Sequence, residues 1–308
     1  MSFTGRDIIT TEDLSKEDIL KIMETSGRME KMVEKEKIGK IMEDRIVAVI
    51  FLEPSTRTRL SFVTAVHRVG AKPIVVADAK SSSQSKGESL EDTARTIEGY
   101  ADCIVVRQPV IGGARRMADA AAVPVINGGD GAGQHPTQAL LDLYTIIKEK
   151  GSLEGLKVAM VGDLKFGRTV HSLSYALAPF NPEYIYCSPG ALKMPESITA
   201  DMKARNIPVY ETENIKEAVQ ADIVYMTRVQ RERFDDPAEY DRLKGSYILS
   251  RKLVEEGQKD LIVLHPLPRV DEISTDVDDL PNAAYFRQAH NGVYLRMALL
   301  ALVTGAAE

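Results

Sequence analysis

The chain has 308 residues, 44% of them hydrophobic, which is too long for one ordinary compact domain and apolar enough to bury two cores. Its formal net charge of −6 and pI near 5.6 exclude the global positive field that draws nucleic acid or an anionic membrane, so an anionic ligand requires a local cluster of cations. Cys103 and Cys187 lie far apart with no CxxC and no metal-ligand spacing, which argues against a disulfide framework or a structural zinc site and for reduced thiols.

The N-terminal stretch has no apolar core of the kind a signal peptide needs, and no run of about 18 apolar residues occurs, so a cytoplasmic protein without membrane spans is expected. Ser15 followed by Asp18 predicts a capping box opening an amphipathic helix with Ile19, Met23 and Met29 among charges. The continuous apolar run Ile46–Leu52 predicts a strand buried on both faces of a parallel sheet, followed by a helix with Leu60, Val63 and Val66. Short runs at Pro73–Val76 and Cys103–Val106 alternate with helical stretches around 91–100 and 114–122, the pattern of βαβ units. Pro136–Lys150 reads as a helix with no Pro/Gly linker. The pattern then restarts at Leu156–Val161, with strands at Tyr184–Tyr186, Ile223–Met226 and Leu261–Leu264.

The fold class expected is therefore α/β, two doubly wound parallel-sheet domains joined by helices, with the boundary near residue 150. Val293–Val303 is apolar enough to pack on a core, and no low-complexity segment or solenoid-length repeat is present. The halves share a faint echo, a buried strand, a polar turn and an Arg-Thr pair opening a helix, at Arg57-Thr58 and at Arg168-Thr169.

Glu53-Pro54-Ser55-Thr56-Arg57-Thr58-Arg59 follows a buried strand and opens a helix, where free backbone N–H groups and the helix dipole favour an anion. Hydroxyls from Ser55, Thr56 and Thr58 and the planar fork of Arg57 suit phosphate oxygens; the plainer reading is a Ser or Thr cap among solvated arginines. The segment is neither a Walker A loop nor GxGxxG, so no nucleotide is implied. His135 and Gln138 flank the start of the next helix after a glycine-rich stretch, Gly128–Gly131, read as a flexible loop. His135 is as compatible with a structural hydrogen bond as with polarising a carbonyl, and no second ligand suggests a metal. Arg107, Arg168 and Arg228 all follow strand ends, where open α/β sheets bind ligands, although each alone reads as a surface residue. His265-Pro266-Leu267-Pro268-Arg269 is either a rigid turn or a backbone whose carbonyls face a ligand, and 81–88 reads as a polar surface loop.

Taken together, Ser55–Arg59, His135–Gln138 and His265–Pro268 resemble the carbamoyltransferase family, and the intervening segments match along essentially the whole chain. Val161–Ser172 and Met226–Gln230 look like the branch that acts on aspartate. Pro266, and the absence of a Ser-Met-Gly motif, differ from the ornithine branch. The resemblance implies transfer of the carbamoyl group of carbamoyl phosphate to the amine of L-aspartate, a step of pyrimidine biosynthesis, with no metal or organic cofactor. It assigns 1–149, completed by a C-terminal helix at 289–308, to carbamoyl phosphate, and 150–288 to aspartate.

By the same resemblance the phosphate pocket comprises Ser55, Thr56, Arg57, Thr58 and Arg107, with Ser82 and Lys86 reaching in from a neighbouring subunit of a homotrimer. His135, Thr58 and Arg107 would contact the carbamoyl oxygen, and Gln138 and the Pro266 backbone its nitrogen. Arg168, Arg228 and Gln230, with Lys86, would hold aspartate, and the Leu267 backbone would lie near its amine. Ser85 precedes Lys86 where family members can carry a second lysine. Separate regulatory chains are compatible with this reading. The alternatives are transfer to another amino acid such as ornithine, and a phosphate-ligand sensor without catalysis.

Overall fold

A computed structural model describes residues 2–78, 83–131, 133–229, 236, 238, 240, 242 and 245–307. The chain divides into two compact units, Met1–Tyr144 with His290–Glu308, and Thr145–Ala289.

In the first unit, α1 (Lys16–Lys35) opens on the capping box, Ser15 Oγ accepting from Asp18 N at 3.1 Å and Asp18 Oδ2 from Ser15 N at 3.1 Å. The chain then alternates: β1 (Ile46–Phe51), α2 (Thr56–Arg68), β2 (Lys72–Val76), α3 (Leu90–Glu98), β3 (Cys103–Gln108), α4 (Gly113–Ala120), β4 (Val125–Asp130) and α5 (Pro136–Lys150). The strands form an all-parallel sheet in the order β2-β1-β3-β4. Strands β3 and β4 are buried at every position, as parallel strands covered on both faces are; β3 shows it in the apolar run Cys103–Val106, whereas β4 is apolar only at Val125-Ile126. Ile8 bridges to Ile126 and covers the β4 edge. At the other edge, Ile74 and Val75 of β2 are 41% and 44% exposed.

Three sequence expectations change here. Leu60 is 55% exposed, because α2 is phased by Phe62, Ala65 and Val66, which occupy the inward stripe. Val125-Ile126 was not anticipated as a strand. Gly128–Asp130, read as a flexible loop, belongs to that buried strand: a Cβ at Gly128 would stand 3.3 Å from Val106 O, so the glycine permits close strand contact.

The second unit repeats the architecture with β5 (Lys157–Val161), α6 (Arg168–Leu177), β6 (Glu183–Cys187), α7 (Glu196–Ala204), β7 (Val209–Thr212), α8 (Ile215–Ala218), β8 (Ile223–Met226), α9 (Arg251–Glu255) and β9 (Ile262–Leu264). Its parallel sheet runs β7-β6-β5-β8-β9. The edge strand β7 carries too short an apolar run to be read from sequence. Helix α5 and the C-terminal helix α10 (Tyr285–Val303) carry the chain between the units.

Each sheet has one place where strand order reverses, between β1 and β3 and between β5 and β8. Crevices for ligands form outside the carboxyl ends of strands at such points. At the second one, Gly162 follows β5 with φ +113°, and a Cβ on it would stand 2.4 Å from Thr227 O. Gly162→Ala should therefore destabilise the unit more than Gly155→Ala, where φ is +65° and no atom lies within 4 Å of the added carbon. The control should cost about 1–2 kcal/mol, the ordinary left-handed penalty; urea midpoints of the two variants check the order.

Candidate active site

The first crevice is built on the register that sets Phe51 of β1 beside Arg107 of β3, with Leu52 N donating to Arg107 O at 2.9 Å. Helix α2 departs immediately afterwards. Its N-cap, Ser55, makes no side-chain cap hydrogen bond, and its first turn holds no acidic residue. By contrast α1 and α3 begin with serines that cap through their side chains and with two acids each in the first turn, Glu17 and Asp18, and Glu91 and Asp92. Those two helix starts satisfy and neutralise their own N–H groups, whereas the start of α2 has neither a capping side chain nor an acid and carries Arg57 in its first turn. The simple capping reading of Ser55 is therefore not what the structure contains. Thr58 is buried, while Thr56 and Arg57 are exposed.

Arg107 is 7% exposed and held in place: Nη2 meets Glu53 Oε1 at 3.2 Å and Nη1 donates to Gly128 O at 3.2 Å. His135 is buried before α5, and its carbonyl accepts from Gln138 N at 3.0 Å to close the first helical turn. Gln138, also buried, donates Nε2 to Asp142 Oδ1 at 2.8 Å. Lys86 ends a short 3-10 turn, Ser83–Lys86, and is exposed.

The second crevice joins the loops after β5 and β8. Asp163 N donates to Thr227 Oγ1 at 2.8 Å, and that hydroxyl donates to Val161 O at 3.0 Å. Asp163 is fully buried and accepts from Phe166 N at 2.9 Å, shaping the turn that delivers Arg168 to the start of α6. This helix also starts without a side-chain cap or an acid in its first turn. Arg228 follows Thr227 and borders a small cavity of about 40 Å³ together with Tyr240, Asp271 and Glu272.

The turn after β9 is locked by a buried pair. Leu267 N donates to His265 Nδ1 at 2.7 Å, which makes Nδ1 the acceptor, so the ring proton lies on Nε2, 2.6 Å from Glu272 Oε1. The other oxygen of Glu272 accepts from Val270 N at 3.0 Å and Asp271 N at 3.1 Å. These bonds hold Leu267 at φ +53° before a cis peptide to Pro268. Burial pushes the His265 pKa down, with the charges of Arg228 and Arg269 acting in the same direction and the Glu272 carboxylate opposing them.

The structure thus gathers Ser55, Thr56, Arg57, Thr58 and Arg107 at the first reversal point, with Gln138 and His135 on the same unit, and Arg168, Arg228, Pro266 and Leu267 on the other. Ser82 and Gln230 lie outside the described residues. Sequence reasoning missed Glu53, Asp142, Thr227 and the His265–Glu272 pair. Only Asp142 left a local signal, its i,i+4 spacing from Gln138.

The aspartate/ornithine carbamoyltransferase family models match in both parts, the carbamoyl-P binding domain over residues 6–148 and the Asp/Orn binding domain over 154–303. The chain is 52% identical over 297 residues to the aspartate carbamoyltransferase catalytic subunit of Methanocaldococcus jannaschii, covering 96% of each chain. Among solved structures it is similar to the catalytic subunit of the M. jannaschii aspartate transcarbamoylase, with TM-score 0.89, 52% identity and 96% coverage of each chain. It is also similar to aspartate transcarbamoylase from Trypanosoma cruzi in complex with carbamoyl phosphate and aspartate, with TM-score 0.92, 36% identity and coverage of 98% of this chain and 97% of that one.

The His265 pair makes a pH prediction. Because the folded state lowers the imidazole pKa, the stabilisation is complete above the unfolded value of about 6.5 and is lost as pH falls below it, when the unfolded chain binds a proton the folded chain refuses. His265→Asn should be less stable than wild type at pH 7, and the gap should narrow towards pH 5. Chemical denaturation at both pH values measures it; a constant gap would mean that His265 does not titrate differently on folding.

Proposed function

The chain belongs to the aspartate/ornithine carbamoyltransferase family, and we propose that its reaction is divided between the two reversal points, the first holding carbamoyl phosphate and the second L-aspartate. The chain transfers the carbamoyl group of carbamoyl phosphate to the amine of L-aspartate, giving N-carbamoyl-L-aspartate and phosphate. The observation that carries the division is the uncapped, acid-free start of α2 beside Arg107, a dianion site in a chain of net charge −6. Ser55, Thr56, Arg57, Thr58 and Arg107 take the phosphate. His135, with Thr58 and Arg107, donates to the carbamoyl oxygen, and Gln138 and the Pro266 backbone meet its nitrogen. Arg168, Arg228 and Gln230 take the aspartate carboxylates as charge-assisted pairs, and the Leu267 backbone lies by the amine.

The neutral amine's lone pair forms the new C–N bond, charge builds on the carbamoyl oxygen, the bond to the phosphate oxygen breaks, and the amine's proton passes to the departing phosphate. The protein's part is orientation and stabilisation of the developing oxyanion, without a covalent intermediate. Neither a metal nor an organic cofactor enters the scheme.

A homotrimer with shared sites fits the exposed Lys86 and the exposed apolar side chains Leu60, Ile74 and Val75 on α2 and β2, which a neighbouring subunit would cover. In this assembly Ser82 and Lys86 complete the phosphate pocket of the adjacent chain, and Lys86 also reaches aspartate. The relatives' description as catalytic subunits accords with separate regulatory chains. We place the protein in the cytoplasm and its product in pyrimidine biosynthesis; among the described residues no helix is long and apolar enough to cross a membrane.

Phosphate release from carbamoyl phosphate should depend on L-aspartate and not on ornithine. Arg228→Ala should raise the KM for aspartate by at least about tenfold, the size of a lost charge-assisted hydrogen bond, while carbamoyl phosphate binding alone changes little. Loss of carbamoyl phosphate affinity in that variant would move Arg228 to the other half-site.

Arg57→Ala and Lys86→Ala proteins, each nearly inactive, should recover roughly one quarter of wild-type activity when dissociated, mixed equally and reassembled, because a shared site is intact only when both of its donors are unmutated. Hybrids verified by mass that stay inactive would confine each site to one chain.

A further inference from the structure

Gln138 and Asp142 stand one turn apart on α5, and Gln138 Nε2 donates to Asp142 Oδ1 at 2.8 Å. No described residue donates to the other end of that amide, Gln138 Oε1. Asp142 is fully buried. Its charge acts on a second buried group, Arg296 of α10, which is 3% exposed, donates Nη1 to Ser61 Oγ of α2 at 2.9 Å, and lies 5.0 Å from the centroid of the Phe62 ring. Gly292, one turn earlier on α10, leaves the space the guanidinium fills, since a Cβ there would stand 2.4 Å from Arg296 Nη1. Burial lowers the Arg296 pKa to about 10 against the opposing charge of Asp142, so the guanidinium stays charged at neutral pH.

A carboxylate oxygen accepts hydrogen bonds, and the charge of Asp142 is the one that favours the charged Arg296 guanidinium. Asp142 therefore takes the amide nitrogen of Gln138, whichever way that amide would turn by itself, and Oε1 is left to face a ligand. We propose that Asp142 is a positioning residue that fixes the Gln138 amide with its acceptor towards the carbamoyl nitrogen, and that this orientation makes the site select a carbamoyl group over an acetyl group. The inference rests on the placement of Gln138 at the carbamoyl nitrogen argued above. Carbamoyl phosphate and acetyl phosphate have the same charge and nearly the same shape, so the cations and helix N-terminus that hold the phosphate cannot separate them. The NH₂ and CH₃ groups differ in hydrogen-bond donation, and a buried acceptor left unpaired by the methyl group penalises the acetyl compound. With the amide reversed, donor would face donor and the amide's share of the preference would be lost.

The test compares the binding of carbamoyl phosphate with the inhibition constant of acetyl phosphate in wild type, Asp142→Ala, Gln138→Ala and the double variant. Asp142→Ala should weaken carbamoyl phosphate by about tenfold, the size of one lost buried hydrogen bond, and acetyl phosphate by less than about twofold. In the Gln138→Ala background, removing Asp142 should leave the selectivity ratio where Gln138→Ala already put it, because a purely structural cost of losing Asp142 appears in both backgrounds and cancels. Asp142→Asn keeps the volume and can take either end of the amide, so it should lose selectivity severalfold even if the alanine variant does not fold. Equal weakening of both acyl phosphates by Asp142→Ala, additive losses in the double variant, or wild-type selectivity in Asp142→Asn each overturns the role of Asp142. Unchanged selectivity in Gln138→Ala itself overturns the prior placement of Gln138 and the inference with it.

Discussion

Reversal of strand order in a parallel sheet sends the connections from two neighbouring strands to opposite faces, so the carboxyl ends of that pair are left without a covering crossover. In the first sheet the pair is β1 and β3, and the residues at their ends are Ser55–Thr58 and Arg107; in the second it is β5 and β8, followed by Asp163–Arg168 and Thr227-Arg228. The rest of each half-site depends on this geometry. Helices α2 and α6 begin at the two crevices, and each carries arginine in its first turn without a capping side chain or an acid. Helix α4 also starts without a side-chain cap of its own, but Asp130 accepts from Gly112 N at 3.0 Å and supplies the missing acceptor from within the protein. Among the described residues no side chain caps the start of α2, and an uncapped helix start is one that a ligand can serve.

Buried charge is distributed by the same logic. Arg107 leans on Glu53, Glu272 on His265 and two backbone N–H groups, and Arg296 on Ser61 and the charge of Asp142. Each of these groups would be costly to desolvate alone. Paired as they are, they fix the Arg107 side chain, the Leu267 backbone and the Gln138 amide, the groups to which the proposed function assigns ligand contacts. The net acidic chain thereby keeps its cationic sites local and leaves Arg57 on the exposed side of the crevice.

The strands β1, β3, β5, β8 and β9 were legible because burial on both faces forces unbroken apolar runs, and the capping box of α1 because two side chains at fixed spacing carry it. Strands β4 and β7 were not, the former because its glycines mimic a loop signal while serving close packing against β3, the latter because an exposed edge strand needs little apolar sequence. The arginines and His135 stood out through motif and resemblance. Their supports did not, since Glu53 with Arg107 and His265 with Glu272 become partners only through register and turn geometry, which no local spacing encodes. The orientation of Leu60 failed for a related reason: an apolar residue on a helix is assigned a side by its neighbours' phase, and Phe62 with Val66 outweighed it.

On the division proposed here, the two half-sites read their ligands by different physics. The aspartate side selects by sign: Arg168 and Arg228 attract two carboxylates, while a substrate bringing an ammonium group in place of the second carboxylate meets like charge there. The neutral His265, holding Leu267 through Nδ1, adds no further cation at working pH, so the amine of the substrate is not repelled by the turn that lies beside it. The carbamoyl phosphate side cannot select by sign alone, because every acyl phosphate carries the same charge. Discrimination there falls to neutral acceptors, the Pro266 backbone and the Gln138 amide, and the amide has no preferred direction until a charged neighbour imposes one. The buried carboxylate of Asp142 imposes that direction, and a fixed amide dipole then distinguishes an N–H from a C–H where the surrounding cations do not.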